Sequence, residues 1–147
     1  MIYLSNVASY YAQKKISNLE RLEIFEIDEK FIDEKIGVRE LSIKEDKQET
    51  SDLCVEAFEC LKNKTEESLN SIDCLIVCTQ NPDKNGIPHT SSILHKKLDL
   101  NMNCACFDIS LGCSGYIYCL SVLKGFMETN NFANGLLFCC DPYSKII

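Results

Sequence analysis

A chain of 147 residues with 46% apolar residues, 25% charged residues and a net charge of −7 has the make-up of one soluble domain with a sizeable core. The acidic balance, with no basic cluster, argues against a nucleic-acid surface, and no apolar run approaches the roughly 20 residues of a membrane span. Polar residues follow Met1-Ile2-Tyr3-Leu4 at once, unlike a signal peptide, so the ten cysteines are expected as reduced thiols in the cytoplasm.

In chain order, Ile2 to Val7 alternates loosely and predicts a first strand. Ser17-Asn18-Leu19-Glu20 has the form of a capping box, with Ser17 as N-cap of a short helix running to about Phe25. Glu29 to Ile36 predicts a further helical turn that Gly37 closes. Val38 to Ile43 alternates as a strand does, and Lys44 to Thr50 reads as a charged, solvated loop. Ser51 and Asp52 should start the next helix, with Leu53, Ala57, Cys60 and Leu61 on one face and Phe58 beside them. Lys62 to Asn70 is a polar connection.

Cys74-Leu75-Ile76-Val77-Cys78 is continuously apolar and of strand length, which predicts a strand covered on both faces. Asn81 to Pro88 is rich in turn formers and predicts a loop. Thr90 can cap a helix with Ile93, Leu94 and Leu98 as its apolar positions. Cys104 to Ile109 predicts another buried strand, Tyr116 to Met127 a buried helix, and Leu136 to Cys140 a last strand stopped by Asp141-Pro142. Strands alternating with helices predict an α/β fold, a mostly parallel sheet with helices on both faces. Ligands in such folds gather at the carboxyl ends of the strands. There is no G-x-G-x-x-G and no Walker A sequence to cradle a phosphate. No C-x-x-C pair occurs either, and the cysteines lie mostly in apolar runs, so no metal site is expected.

Cys113 stands at such a carboxyl end, in Ser110-Leu111-Gly112-Cys113-Ser114-Gly115, between a strand and a helix. Gly112 and Gly115 let the backbone turn sharply and pack closely there. At the first turn of a buried helix, free N–H groups and the positive end of the helix dipole favour a thiolate and any oxyanion formed on a carbonyl it attacks. Free cysteine is also among the most buried residue types. Local spacing alone leaves packing and nucleophilic roles evenly open.

Taken together, several stretches resemble β-ketoacyl-acyl-carrier-protein synthase III, a condensing enzyme of the thiolase superfamily. They are Ser17-Asn18-Leu19-Glu20, Phe31-Ile32, Ile36-Gly37-Val38-Arg39-Glu40, Asp73 to Thr79, Pro82-Asp83, Pro88, Phe107-Asp108-Ile109, Cys113-Ser114-Gly115-Tyr116 and Ser144 to Ile147. The resemblance runs over nearly the whole chain and implies a thiolase-like half-domain over residues 1–147, with a buried central helix starting at the nucleophile. It implies that Cys113 takes an acyl group from acyl-coenzyme A, ahead of a decarboxylative Claisen condensation with malonyl-acyl carrier protein in fatty acid biosynthesis. Coenzyme A enters as a substrate, and no permanently bound cofactor is implied.

Other positions follow from the same resemblance. Phe31 falls where a tryptophan commonly stacks on the coenzyme A adenine, and Lys35 where an arginine commonly meets the same nucleotide. Ile87 matches a position that reaches across a homodimer interface to line the partner's acyl pocket; an apolar loop anchor is the other reading. Asp141 matches an acidic position after the strand, to which no chemistry is assigned. The family's second half, with the histidine and asparagine that drive decarboxylation, is absent, and His89 and His95 read as structural or solvent-facing. The expectation is therefore an incomplete acyltransferase that acylates Cys113 without condensing, and that self-associates. The alternatives are an acyltransferase or condensing enzyme of surface-glycan or secondary metabolism, or a non-catalytic half-domain that pairs with another chain.

Overall fold

The computed structural model describes residues 1–64 and 71–146, and the chain divides into two compact units. The smaller, Tyr11–Lys47, is built on an antiparallel pair of strands, β1 (Lys14–Ser17) and β2 (Glu40–Ile43), in register Lys14 to Ile43 and Ser17 to Glu40. The first strand is thus Lys14–Ser17 and not Ile2–Val7: that stretch finds no ladder, and Ile2 instead lays its side chain on an apolar cluster. Between the strands lie a 3-10 turn (Leu19–Arg21), α1 (Leu22–Phe25), α2 (Glu29–Phe31) and a π-helical turn (Ile32–Ile36). Ser17 does not cap in the predicted box. Its Oγ accepts from the Leu19 N–H at 3.2 Å, a local turn bond that competes with helix capping. Gly37, at φ +71°, closes the π turn as expected, its N–H reaching the Ile32 carbonyl at 2.7 Å.

The larger unit, Met1–Tyr10 with Gln48–Ile147, holds a three-stranded parallel sheet in the order β4-β3-β5. Its strands are β3 (Cys74–Cys78), β4 (Ala105–Ile109) and β5 (Gly135–Cys139), with Cys74 level with Ala105 and Gly135, and Cys78 level with Ile109 and Cys139. All five β3 residues are buried, as its continuous apolar sequence requires of a central strand covered on both faces. Leu75, Val77 and Phe138 point to the face covered by α3 (Thr50–Lys62) and α4 (Thr90–Lys97), where Cys54, Phe58, Leu94 and Leu98 complete the core. Cys74 and Ile76 point the opposite way, towards α5 (Gly115–Asn130), and pack with Leu123 and Met127. Phe107 meets Phe126 edge-on, at 5.2 Å between ring centres.

Two helix faces differ from the sequence expectation. α3 begins at Thr50 after a capping box of Glu49 and Asp52, and buries Thr50, Ser51, Cys54 and Phe58. Its inward face is turned by one residue because Thr50 and Ser51 are held inside by hydrogen bonds to Asn81 and Asp83. α5 is not covered on nearly every side. Only the stripe Gly115, Cys119, Leu123 and Met127 is buried, and Tyr116, Ile117, Tyr118 and Val122 are exposed. The polar connection expected to Asn70 lies largely outside the described residues, as does Ile147.

Candidate active site

The turn carrying Cys113 is set by how closely α5 approaches β3. A Cβ built on Gly115 would lie 2.4 Å from Cys78 Sγ, so only glycine lets the helix start there. The Gly115 N–H closes the turn on the Gly112 carbonyl at 2.8 Å, and Ser114 is the N-cap of α5. Cys113 therefore stands just ahead of the helix N-terminus, past the carboxyl end of β4, with its side chain exposed.

The other thiols differ in kind. All ten cysteines are free, and only Cys113 and Cys139 are exposed. Burial pushes Cys74 up to about 12 and Cys104 up to about 11, and it raises Cys119 to about 11 with the neighbouring Cys78 adding to the shift. Cys139 is exposed as a residue, yet it is level with Cys78 on the α5 side of the sheet. Desolvation there, with the charge of Cys78, pushes its thiol up to about 12. No group of three or more histidine, cysteine or carboxylate side chains that could hold a metal ion occurs among the described residues.

Beside Cys113 lies a polar network that the sequence left unread. A Cβ on Gly112 would lie 2.9 Å from Gln80 Oε1, so the Gln80 side chain rests against the residue preceding the thiol. Tyr143 Oη donates to Gln80 Oε1 at 2.9 Å. Asp141, to which the sequence assigned no chemistry, ties down the segment after β3: its Oδ1 accepts from the Gln80 N–H at 2.6 Å, Thr79 Oγ1 at 3.2 Å and Asn81 Nδ2 at 3.4 Å. The only hint of this cluster in the sequence is that Thr79-Gln80-Asn81 and Asp141-Pro142-Tyr143 both follow apolar strands.

The remaining candidates fall in separate places. Ile87 is 85% exposed in the loop before α4. Phe31 and Lys35 belong to the smaller unit, four positions apart where α2 passes into the π turn. That turn is braced by Arg39, whose guanidinium donates to both Asp33 oxygens at 2.8 and 2.6 Å and approaches Glu29 at 3.0 Å. Phe31 is partly exposed, and its N–H is capped by Asp28 at 2.7 Å. His95 Nε2 lies 3.0 Å from the Asn101 carbonyl, ahead of β4 and so at the opposite end of the sheet from Cys113. His89 is the exposed N-cap residue of α4, and its carbonyl accepts from the Ser92 N–H. Thr90 is the first helical residue and not the cap. Asp108 does the capping from β4, its carboxylate accepting from the N–H groups of Thr90 and Ser91 at 2.7 and 2.8 Å.

A parallel sheet with helices on both faces, and a cysteine on a glycine-flanked turn between strand and helix, define a thiolase-like α/β half. Comparison with known proteins gives the particular relationship. Residues 107–147 match the family model for 3-oxoacyl-[acyl-carrier-protein] synthase III. β-Ketoacyl-[acyl-carrier-protein] synthase III of Caldanaerobacter subterraneus is 34% identical over 95% of this chain and 41% of its own length. Its counterpart from Helicobacter pylori is 28% identical over 98% of this chain and 43% of its own length. A solved 3-oxoacyl-(acyl-carrier-protein) synthase III superposes with a TM-score of 0.86 at 30% identity, over 95% of this chain and 42% of that one. The synthase III from Thermus thermophilus also gives 0.86, at 25% identity, over 97% of this chain and 44% of its own. The chain thus spans about two-fifths of the length of the relatives it matches. Over nearly its whole length it is similar to 3-oxoacyl-[acyl-carrier-protein] synthase III.

Proposed function

We propose that this chain is the nucleophile-bearing portion of an acyltransferase of fatty acid biosynthesis, and that Cys113 carries the acyl group. One observation carries this: Cys113 is exposed on the tight turn between β4 and α5, within the stretch that matches the family model. The Cys113 thiolate attacks the carbonyl carbon of an acyl-coenzyme A, and a carbon–sulfur bond forms. The oxyanion that results lies at the positive end of the 16-residue helix α5. It collapses, the bond to coenzyme A breaks, and the released thiolate takes a proton from solvent. The thioester left on Cys113 keeps the carbonyl electrophilic for a second step. In the whole protein that step is the decarboxylative condensation with malonyl-acyl carrier protein.

Phe31 and Lys35 are proposed to receive the coenzyme A nucleotide, Phe31 by stacking and Lys35 by charge. Lysine supplies a point charge but not the planar fork of arginine. Ile87 is proposed to line the acyl pocket of a second copy in a cytoplasmic homodimer; its exposure in the isolated chain supports this. The exposed outer face of α5 supports a further stretch of polypeptide as its cover.

The test is incubation with acetyl-coenzyme A, followed by intact mass and peptide mapping. One acetyl group should appear on Cys113, and Cys113→Ala should remove it. With malonyl-acyl carrier protein added, this chain alone should give no β-ketoacyl product. An unmodified Cys113, with the chain folded, would overturn the proposal.

A further inference from the structure

Gln80 lies beside the turn of Cys113 in a defined orientation. Its side chain packs on Gly112: a Cβ there would stand 2.9 Å from Oε1, 3.5 Å from Cδ and 3.9 Å from Nε2. Tyr143 holds the oxygen side of the amide, donating to Oε1 at 2.9 Å. The backbone beneath is pinned by Asp141, which accepts from the Gln80 N–H at 2.6 Å. With its oxygen occupied, the amide presents Nε2, and no hydrogen bond from Nε2 is made among the described residues. Gln80 and Cys113 are both exposed at the carboxyl end of the sheet. Gly112 is the residue before Cys113 and consecutive Cα atoms lie about 3.8 Å apart, so Gln80 packs one residue from the backbone that carries the thiol.

We propose that Gln80, oriented by Tyr143, is a specificity-determining residue that favours acyl groups bearing an oxygen acceptor beyond the thioester carbonyl. This rests on the acylation of Cys113 proposed above. An amide N–H covered by a purely hydrocarbon chain loses water and gains no partner, whereas a hydroxyl or keto oxygen on the chain replaces the lost bond. Sites that offer a hydrogen bond discriminate against ligands lacking it more strongly than apolar sites discriminate by size. Gln80 is exposed, so the discrimination is expected at the modest end.

The experiment compares acylation of Cys113 by 3-hydroxybutyryl-coenzyme A and butyryl-coenzyme A, donors that differ by one oxygen. The chain itself is used, and the rate is read by intact mass. The expected preference for the hydroxyacyl donor is about threefold, the size of one modest hydrogen bond. Gln80→Met keeps the length and removes the donors, and should bring the ratio near one. Tyr143→Phe frees the amide to rotate and should lower the ratio part-way. The iodoacetamide rate of Cys113 serves as control and should be unchanged in both variants, since a merely structural role would alter it as well as both donors alike. Acylation without preference in the unaltered chain, or a preference that survives Gln80→Met, would overturn this inference and leave the nucleophile in place. Failure of both donors and of acetyl-coenzyme A to acylate Cys113 would overturn the nucleophile itself, and this inference with it.

Discussion

A methyl group at position 115 would meet Cys78 Sγ at 2.4 Å and Leu111 Cβ at 3.2 Å. Gly115→Ala should therefore push α5 off the end of β3 and destabilise the fold by about 1–3 kcal/mol, as overpacked cores do. Cys78→Ala removes the clashing sulfur, so the double variant should regain part of the loss in urea unfolding. Strict additivity of the two single effects would show that the contact does not set the turn. The thiols give a second check. At about pH 8, far below the values near 11 and 12 to which desolvation pushes Cys74, Cys104, Cys119 and Cys139, iodoacetamide should label Cys113 first. Peptide mapping that found Cys139 labelled as fast would contradict the desolvation of its sulfur. The role of the Cys113 thiol was read only from the family resemblance, whereas the turn that carries it was legible in the sequence because its signal is local: two glycines and an abrupt change from strand to helix pattern. Gln80 and Tyr143 were not, because they are 63 residues apart and meet only where β3 and β5 end together.

At the scale of elements, the strands of the larger unit were legible because a buried parallel strand has an apolar sequence at every position. The helix starts were legible to within a residue, but not the side chains that reach them from other elements. Asp108 on β4 caps α4 from 18 residues downstream of Thr90. Asp83, fully buried, takes the Ser51 N–H at 2.9 Å and the Ser51 hydroxyl at 2.5 Å at the start of α3. Asp108→Ala should cost about 1–2 kcal/mol in denaturant unfolding, the range for lost helix caps. Asp83→Ala should cost more, because it also leaves a buried hydroxyl and N–H without their acceptor. Asp52 adds a pH dependence. Partial burial raises its carboxyl, but the Lys97 ammonium at 2.5 Å and the Glu49 N–H at 2.9 Å outweigh that and hold it below the usual carboxylate value of 3.8. A carboxyl depressed by folding stabilises the folded state above its unfolded pKa, and the contribution is lost as pH falls through the folded value. Asp52→Asn should therefore flatten stability against pH below about 4, with little change in slope near neutrality.

For the whole molecule, the outer face of α5 sets the behaviour in solution. Ile117 and Tyr118 are more than 60% exposed, and Tyr116 and Val122 more than 40%, on the helix that follows the candidate nucleophile. Sedimentation at about 10 μM, within the range of weak interfaces, should show self-association, and Ile117→Lys should shift the chain towards monomer. A clean monomer in the unaltered chain would show that this face tolerates water. The exposure of the face was not legible from composition, since a helix apolar all round reads as buried whether or not its cover is in the same sequence.

The strand order β4-β3-β5 also has a consequence in time. The central strand leaves the ribosome before either neighbour. About 30 residues separate it from β4 and about 60 from β5, so at roughly 5–20 residues per second its second edge waits some seconds for a partner. During that interval Cys74-Leu75-Ile76-Val77-Cys78, five apolar residues without a charge, is a ribbon open to any passing strand. A nascent chain halted before Gly135 should therefore be held by chaperones or aggregate, and one extended past Cys139 should be released from both fates.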